Sequence, residues 1–194
     1  MRVLIVYSHP NPNSFNHALM EHCERGLLTG GHEVRIKDLY AENFDPVLRA
    51  SDLAQLATGS IPEKIAREQE ALLWAEGLVF IYPLWWFDRP AILKGWFDHV
   101  LTSGTAFEYS QTGVKGLLPS RRALVLITAG GDESYFRQTD AKQLIYRPVT
   151  DGTLAFCGIP HIKHRVFYNV PGATAERRTA ILQEVEQLGR TFDA

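Results

Sequence analysis

Three short runs of uninterrupted apolar residues limit what this chain can become. RVLIVYS (Arg2 to Ser8), GLVFIY (Gly77 to Tyr82) and ALVLIT (Ala123 to Thr128) are each the length of a strand and lack polar alternation. A strand apolar on both sides has to be covered on both sides, as in the middle of a parallel sheet flanked by helices. HIKHRVFYN (His161 to Asn169) is a weaker run, and HEVRIKDL (His32 to Leu39) alternates, so both read as strands nearer an edge. Helical spacing fills the intervals. Phe15, Ala18, Leu19, His22, Cys23 and Leu27 form one set, closed by Gly30-Gly31, and Ile65, Gln69, Leu72 and Leu73 form another after Pro62. Pro90 to Leu101 reads as a third helix. Leu144 to Phe156 reads as a fourth, interrupted by Pro148 and Gly152, and Ile181, Val185, Leu188 and Phe192 mark a fifth. Strands alternating with helices define an α/β chain, and five strands favour a doubly wound sheet of order 2-1-3-4-5. With 194 residues and neither repeat nor linker, residues 1-194 are expected to form a single domain. Ala41 to Pro62 is the least regular stretch and is expected to be a surface excursion, a candidate cover for part of a site.

Several functions are disfavoured by composition. A net charge of -2, with no basic face interleaved with aromatics, gives no reason to expect nucleic acid or an anionic membrane. Seven histidines and two cysteines contain no HExxH or CxxC, so no metal is expected. Cys23 and Cys157 sit in apolar contexts and read as buried small hydrophobes. Neither Ser8-His9 nor Ser103-Gly104 lies in a G-x-S-x-G turn. The apolar run before Ser8, His9 and Pro10 is too short for a secretion signal, and no stretch is long enough to span a bilayer. A reducing, cytoplasmic location is the expectation.

In a parallel sheet, ligands bind where loops leave the carboxyl ends of the strands, and three such loops here are chemically unusual. SHPNPNSFN (Ser8 to Asn16) places Ser14 to cap a helix whose first turn offers free N–H groups to a phosphate, with His9 and Asn16 as further donors. Ser14 could equally serve as a cap and nothing more. Pro83 to Phe87 sets Trp85, Trp86 and Phe87 side by side after a buried strand. That reads as a wall for a planar ligand, or as a plug or an oligomer contact. TAGGDESY (Thr128 to Tyr135) has adjacent glycines, Gly130 and Gly131, that allow a close backbone approach or simply a turn. There is no GxGxxG after the first strand, which disfavours a Rossmann dinucleotide site. A phosphate cradle, an aromatic wall and a glycine edge on one crevice together fit a flavin nucleotide.

With those residues in view, the chain resembles the NAD(P)H:quinone oxidoreductases of the flavodoxin-like superfamily. The likeness extends to the DT-diaphorase group and to short bacterial relatives that act as ancillary subunits of potassium efflux systems. It rests on SFN (Ser14 to Asn16), DLYAENFDP (Asp38 to Pro46), PLWWFDRPAILKGWFDHV (Pro83 to Val100), TAGG (Thr128 to Gly131) and FCG (Phe156 to Gly158), in order across nearly the whole chain. The resemblance implies a flavodoxin-like three-layer sandwich holding FAD or FMN, with NADH or NADPH as donor and a quinone or similar acceptor. It implies that His9, Ser14, Phe15 and Asn16 hold the phosphate and ribityl region. Pro83, Leu84, Trp85, Trp86 and Phe87 would line the flavin ring, and Thr128, Ala129, Gly130 and Gly131 would meet its far edge. Tyr135 would be the catalytic tyrosine that hydrogen-bonds the flavin, Phe107 and Tyr109 would sandwich nicotinamide or quinone, and Arg178 would meet an adenylate. A homodimer is implied, with the aromatic surfaces of Trp86, Trp96, Phe107 and Tyr109 available to build it. Two departures stand out. FRQTDAK has no histidine where larger members carry a catalytic one, Thr139 being the nearest position, and the chain stops near Ala194 without their additional segment. Arg178 points toward FAD and the short chain toward FMN. The competing readings are a flavin-loaded regulatory subunit of a membrane transport protein and, less in keeping with the charge, a flavodoxin-type electron carrier.

Overall fold

The computed structural model describes residues 1–139 and 141–194. Every residue of β3 (Gly77–Pro83) is buried, and β1 (Arg2–Tyr7) and β6 (Arg122–Thr128) are buried beyond their first residue. These are the three uninterrupted apolar runs, and they occupy the centre of the main sheet. β2 (Glu33–Asp38) and β7 (His161–Phe167), with mixed patterns, are its edges. The order is β2-β1-β3-β6-β7 and every pairing is parallel. That is the doubly wound order expected, once a separate hairpin that intervenes in sequence is set aside.

Alternate side chains of the central strands enter two different cores. Val3, Ile5, Val79, Ile81, Leu124 and Leu126 meet α1 (Phe15–Thr29) and α7 (Ala175–Arg190). Leu4, Val6, Leu78, Phe80, Val125 and Ile127 meet α3 (Glu63–Trp74), α4 (Ala91–Val100) and α6 (Lys142–Val149) on the other face. Helix, sheet and helix therefore form three layers, and burying each large aliphatic stabilises the fold by roughly 1.5–3 kcal/mol. Cys23 and Cys157 are buried free thiols, and burial pushes them up to about 12 and about 11.

Four features depart from the sequence reading. The stretch 41–62 is not irregular throughout, because it contains α2 (Ala50–Ala57). Asp52 is that helix's one buried residue and accepts from the Arg49 N–H at 2.9 Å, so a terminal cap defines it and apolar periodicity could not reveal it. The hairpin β4 (Phe107–Ser110) and β5 (Gly113–Gly116) was unforeseen, its strands being too short to show a period. Leu144 to Phe156 is not one helix. α6 ends at Val149 and Thr150–Leu154 forms a π turn, with the Ala155 N–H reaching the Thr150 carbonyl at 2.9 Å. Finally, Trp96 is no surface for an interface. It is fully buried, and its indole N–H donates to Glu68 at 2.8 Å, which Lys37 also meets at 2.8 Å.

Candidate functional site

The loops after β1, β3 and β6 meet at the carboxyl edge of the sheet, and hydrogen bonds stitch them together. Asn16 Nδ2 donates to Thr128 Oγ1 at 2.8 Å, tying the first helical turn to the end of β6. The Leu84 N–H donates to the Thr128 carbonyl at 2.7 Å, tying β6 to the start of the aromatic turn. Thr128 thus joins all three loops, and both it and Asn16 are buried.

Ser14 is the cap expected from its position. Its hydroxyl accepts from the His17 N–H at 3.2 Å and lies 3.4 Å from the Tyr7 hydroxyl. The N–H groups of Phe15 and Asn16, in the first turn, have no intrahelical acceptor and face the positive end of the helix dipole. His9 Nδ1 accepts from the Asn11 N–H at 3.1 Å, which puts the proton of the neutral ring on Nε2. Partial burial holds its pKa below the ordinary histidine range. The His9 ring stands 6.0 Å from Trp85, bringing the loop after β1 against the aromatic wall.

The wall is a tight turn. Trp85 and Asp88 exchange backbone hydrogen bonds at 2.9 and 3.1 Å, and the two residues between them are left-handed, Trp86 at φ 49° and Phe87 at φ 62°. Both aromatics at φ > 0 mark a backbone held by its surroundings. Trp86 is 96% exposed. Arg89 anchors the turn from behind: its guanidinium lies 4.9 Å from the Phe97 ring centroid and 2.9 Å from Asp88. Pro83 is buried at the end of β3.

The glycine edge is built differently from the expectation. Neither Gly130 nor Gly131 has positive φ, so no left-handed turn requires them. A Cβ on Gly130 would meet nothing within 4 Å, whereas one on Gly131 would approach the Phe136 ring at 3.1 Å. Ala129 and Gly131 are fastened to the chain beyond β7 through Val170 N–H to the Ala129 carbonyl (3.1 Å) and Asn169 N–H to the Gly131 carbonyl (3.0 Å). Phe136, which the sequence reading passed over, wedges this edge against the wall. Its ring lies 5.8 Å from Phe87, 5.4 Å from Tyr135 and 5.5 Å from Tyr168. Tyr135 itself is half exposed, on the first turn of α5 (Glu133–Gln138).

Arg178 lies beside the first helical turn, while Phe107 and Tyr109 lie on a separate element. Arg178 sits near Phe15, 5.3 Å from the ring, but donates to the Val170 carbonyl at 2.8 Å and the Ala173 carbonyl at 3.2 Å, clamping the loop before α7. Phe107 and Tyr109 lie on the hairpin, with ring neighbours Phe156 at 5.1 Å and each other at 5.5 Å. Among the described residues they make no ring pair with His9, the wall or Tyr135. Ser8 lies in no nucleophile turn, yet its hydroxyl and Asn16 Oδ1 are buried at this edge without hydrogen-bond partners among the described residues. Among the described residues no cluster suited to a metal is present, and no helix is long and apolar enough to cross a membrane.

Comparison with known proteins agrees with this fold. The family described as having a flavodoxin-like fold matches residues 1–189. A ribosyldihydronicotinamide dehydrogenase (quinone) of Homo sapiens is 34% identical, over 98% of this chain and 91% of its own length. An uncharacterized NAD(P)H oxidoreductase of Haemophilus influenzae is 31% identical, over 96% and 93%. The solved NAD(P)H:quinone oxidoreductase from Methanothermobacter marburgensis superposes with a TM-score of 0.89 at 32% identity, covering 100% of this chain and 98% of that one. The chain belongs to the flavodoxin-like family and, within it, to the NAD(P)H:quinone oxidoreductases.

Proposed function

We propose that this protein is a flavin-dependent NAD(P)H oxidoreductase that reduces quinones or similar flat acceptors by two-electron hydride transfer. The observation that carries this reading is the carboxyl edge itself. It combines an open helix start, a left-handed turn presenting an exposed tryptophan, and a Gly130 beside which a side chain would meet nothing within 4 Å. The unpartnered Ser8 Oγ and Asn16 Oδ1 are the kind of buried polar atoms that a ribityl chain would satisfy. The residues present fit a flavin. That group, when bound, would supply the hydride chemistry, accepting from NAD(P)H and passing two electrons on.

The chain's own part is positioning. The N–H groups of Phe15 and Asn16 and the neutral His9 Nε2–H would hold a phosphate with no lysine in the cradle. The left-handed turn holds Trp86 and Phe87 beside the slot, and Phe136 fixes the distance between that turn and the glycine edge. One flat slot serving donor and acceptor in succession is a ping-pong arrangement. Tyr135, half exposed on α5, would donate its phenolic proton toward the bound ring. Thr139 spends its hydroxyl on the Tyr135 carbonyl at 2.9 Å and does not replace the missing histidine.

A homodimer follows as part of the same proposal. Among the described residues Phe107 and Tyr109 make no ring pair with the crevice aromatics of their own chain, and Tyr109 is 75% exposed, so a second copy would bring them over a flavin. The test is direct. The purified protein should be yellow, bleach anaerobically with NADH or NADPH, and recolour with a quinone. Heat-released flavin, identified by chromatography, decides between FMN and FAD, and a colourless protein that takes up neither overturns the reading.

A further inference from the structure

Two left-handed residues in a row need something to hold them, and behind the aromatic wall lies a buried charge. Trp86 and Phe87 each place a Cβ in a backbone region that disfavours one, and both are exposed rather than packed into the core. Phe87 rests on Phe136 at 5.8 Å. For Trp86 the restraint comes from the residues that follow it. Asp88 closes the turn through its backbone hydrogen bonds with Trp85, and its Oδ1 accepts from both ends of Arg89, the backbone N–H at 2.7 Å and Nη1 at 2.9 Å. Pro90, at the start of α4, disfavours helical backbone at Arg89. The guanidinium lies 4.9 Å from the Phe97 ring centroid, and that ring is itself flanked by Phe80 at 5.2 Å and Trp96 at 5.8 Å. One side chain thus fastens the turn to the buried aromatic layer of α4.

As a contact for stability, Arg89 is a poor choice. Its side chain is 6% exposed, and Nε is buried with no hydrogen-bond partner among the described residues. The carboxylate it meets, Asp88, is 53% exposed, so water weakens the pair. Burying a charge in this way costs the fold more than an apolar side chain of similar length would. A costly residue that holds a strained turn marks a place shaped for a ligand. We infer that Arg89 is a positioning residue: its guanidinium fork holds the Trp86–Phe87 turn in the shape that receives the flavin ring, and the protein is no more stable for it. The inference rests on the flavin reading for the identity of the ligand, whereas the hold on the turn can be measured without flavin. The fork matters beyond its charge. A lysine keeps the charge but offers neither a planar face to Phe97 nor donors in fixed positions.

The test compares Arg89→Met and Arg89→Lys with the parent, each as the full chain. Flavin affinity is read by equilibrium dialysis against FMN and FAD. Melting temperature and the NMR signals of labelled tryptophan indoles are read after dialysis into flavin-free buffer. In Arg89→Met the signals of Trp85 and Trp86 should move while that of Trp74 stays, flavin should bind at least tenfold more weakly, and the melting temperature should be unchanged or raised. Arg89→Lys should still bind flavin at least fivefold more weakly than the parent. Three results would each overturn the inference. One is parental flavin affinity in Arg89→Met. Another is a lowered melting temperature or failure to fold in that variant, which would make Arg89 a structural residue. The third is parental affinity in Arg89→Lys, which would reduce the effect to charge. A parent that binds neither FMN nor FAD would sink the flavin reading by itself, and the indole signals would then decide: unmoved Trp85 and Trp86 in Arg89→Met would show that the turn holds without the fork.

Discussion

At Trp86 the backbone and the side chain have opposite interests. A left-handed φ costs a non-glycine residue roughly 1–2 kcal/mol, and an indole that is 96% exposed returns little packing to the fold. Trp86→Gly should therefore raise stability by about 1 kcal/mol, or roughly 2–4 °C in melting temperature for a chain of this size, while raising KM for a quinone several-fold. A variant no more stable than the parent would mean that Asp88 and Arg89 already absorb the strain. The two glycines should separate in the same way. Gly130→Val should leave the melt unchanged and lose flavin by tenfold or more in visible absorbance per protein. Gly131→Val, pressed against Phe136, should also destabilise by about 1–3 kcal/mol. His164 provides a pH signature. Its folded pKa lies below its unfolded value of about 6.5, so the unfolded chain binds its proton first and stability falls as pH drops below about 6.5. His164→Phe keeps a ring stacked on Tyr146 and removes the proton, so the decline in melting temperature between about pH 7 and pH 5 should flatten. Sequence could point to Trp86 and Gly130 because side-by-side aromatics and paired glycines are unusual in a turn, and to Ser14 because serine is a favoured helix cap. It missed Phe136, because a buried phenylalanine looks like any other core residue until its three ring neighbours are known.

At the level of elements, what could be read was whatever forms a long apolar run or repeats. The central strands register as unbroken apolar runs and the helices α1, α3, α4 and α7 by spacing or an opening proline, and all appear near the expected bounds. α2, the β4–β5 hairpin and the π turn do not, since a cap, a four-residue strand and a single wide turn leave no period behind. The contact between α1 and α7 depends on something else again, the absence of a side chain. A Cβ on Gly26 would fall 2.0 Å from the Glu186 carbonyl oxygen, and one on Gly189 would fall 2.6 Å from that of Cys23. Backbone cannot rotate aside as a side chain can. Gly26→Ala should thus force the helices apart despite alanine's better helix propensity, destabilising by about 1–3 kcal/mol in urea titration. A gain in stability would show that the helices slide without loss.

For the whole molecule, the three-layer architecture could be inferred from the order of runs and helices, but the placement of Phe107 and Tyr109 could not, because it depends on where a hairpin folds back. Their surroundings lead to a split prediction. Phe107→Ala and Tyr109→Ala should raise KM for quinone and nicotinamide by a few-fold to about tenfold, the worth of an aromatic stacking contact of roughly 0.5–1.5 kcal/mol, and leave flavin content near the parent's. Parallel loss of flavin and activity, or monomers with unchanged KM, would assign the rings to packing alone. The partnership of α1 with α7 has a kinetic consequence as well. His22 and Glu186 meet at 3.1 Å although 164 positions apart in the chain, and Phe192 closes over Gly77 in the middle of the sheet. The β6 side of that sheet face and the side of α1 that meets α7 thus wait for the last helix, and contacts so distant in sequence slow folding. A nascent chain paused before residue 181 would carry Leu124 and the α7-facing side of α1 uncovered, and should be captured by chaperones or aggregate until α7 arrives.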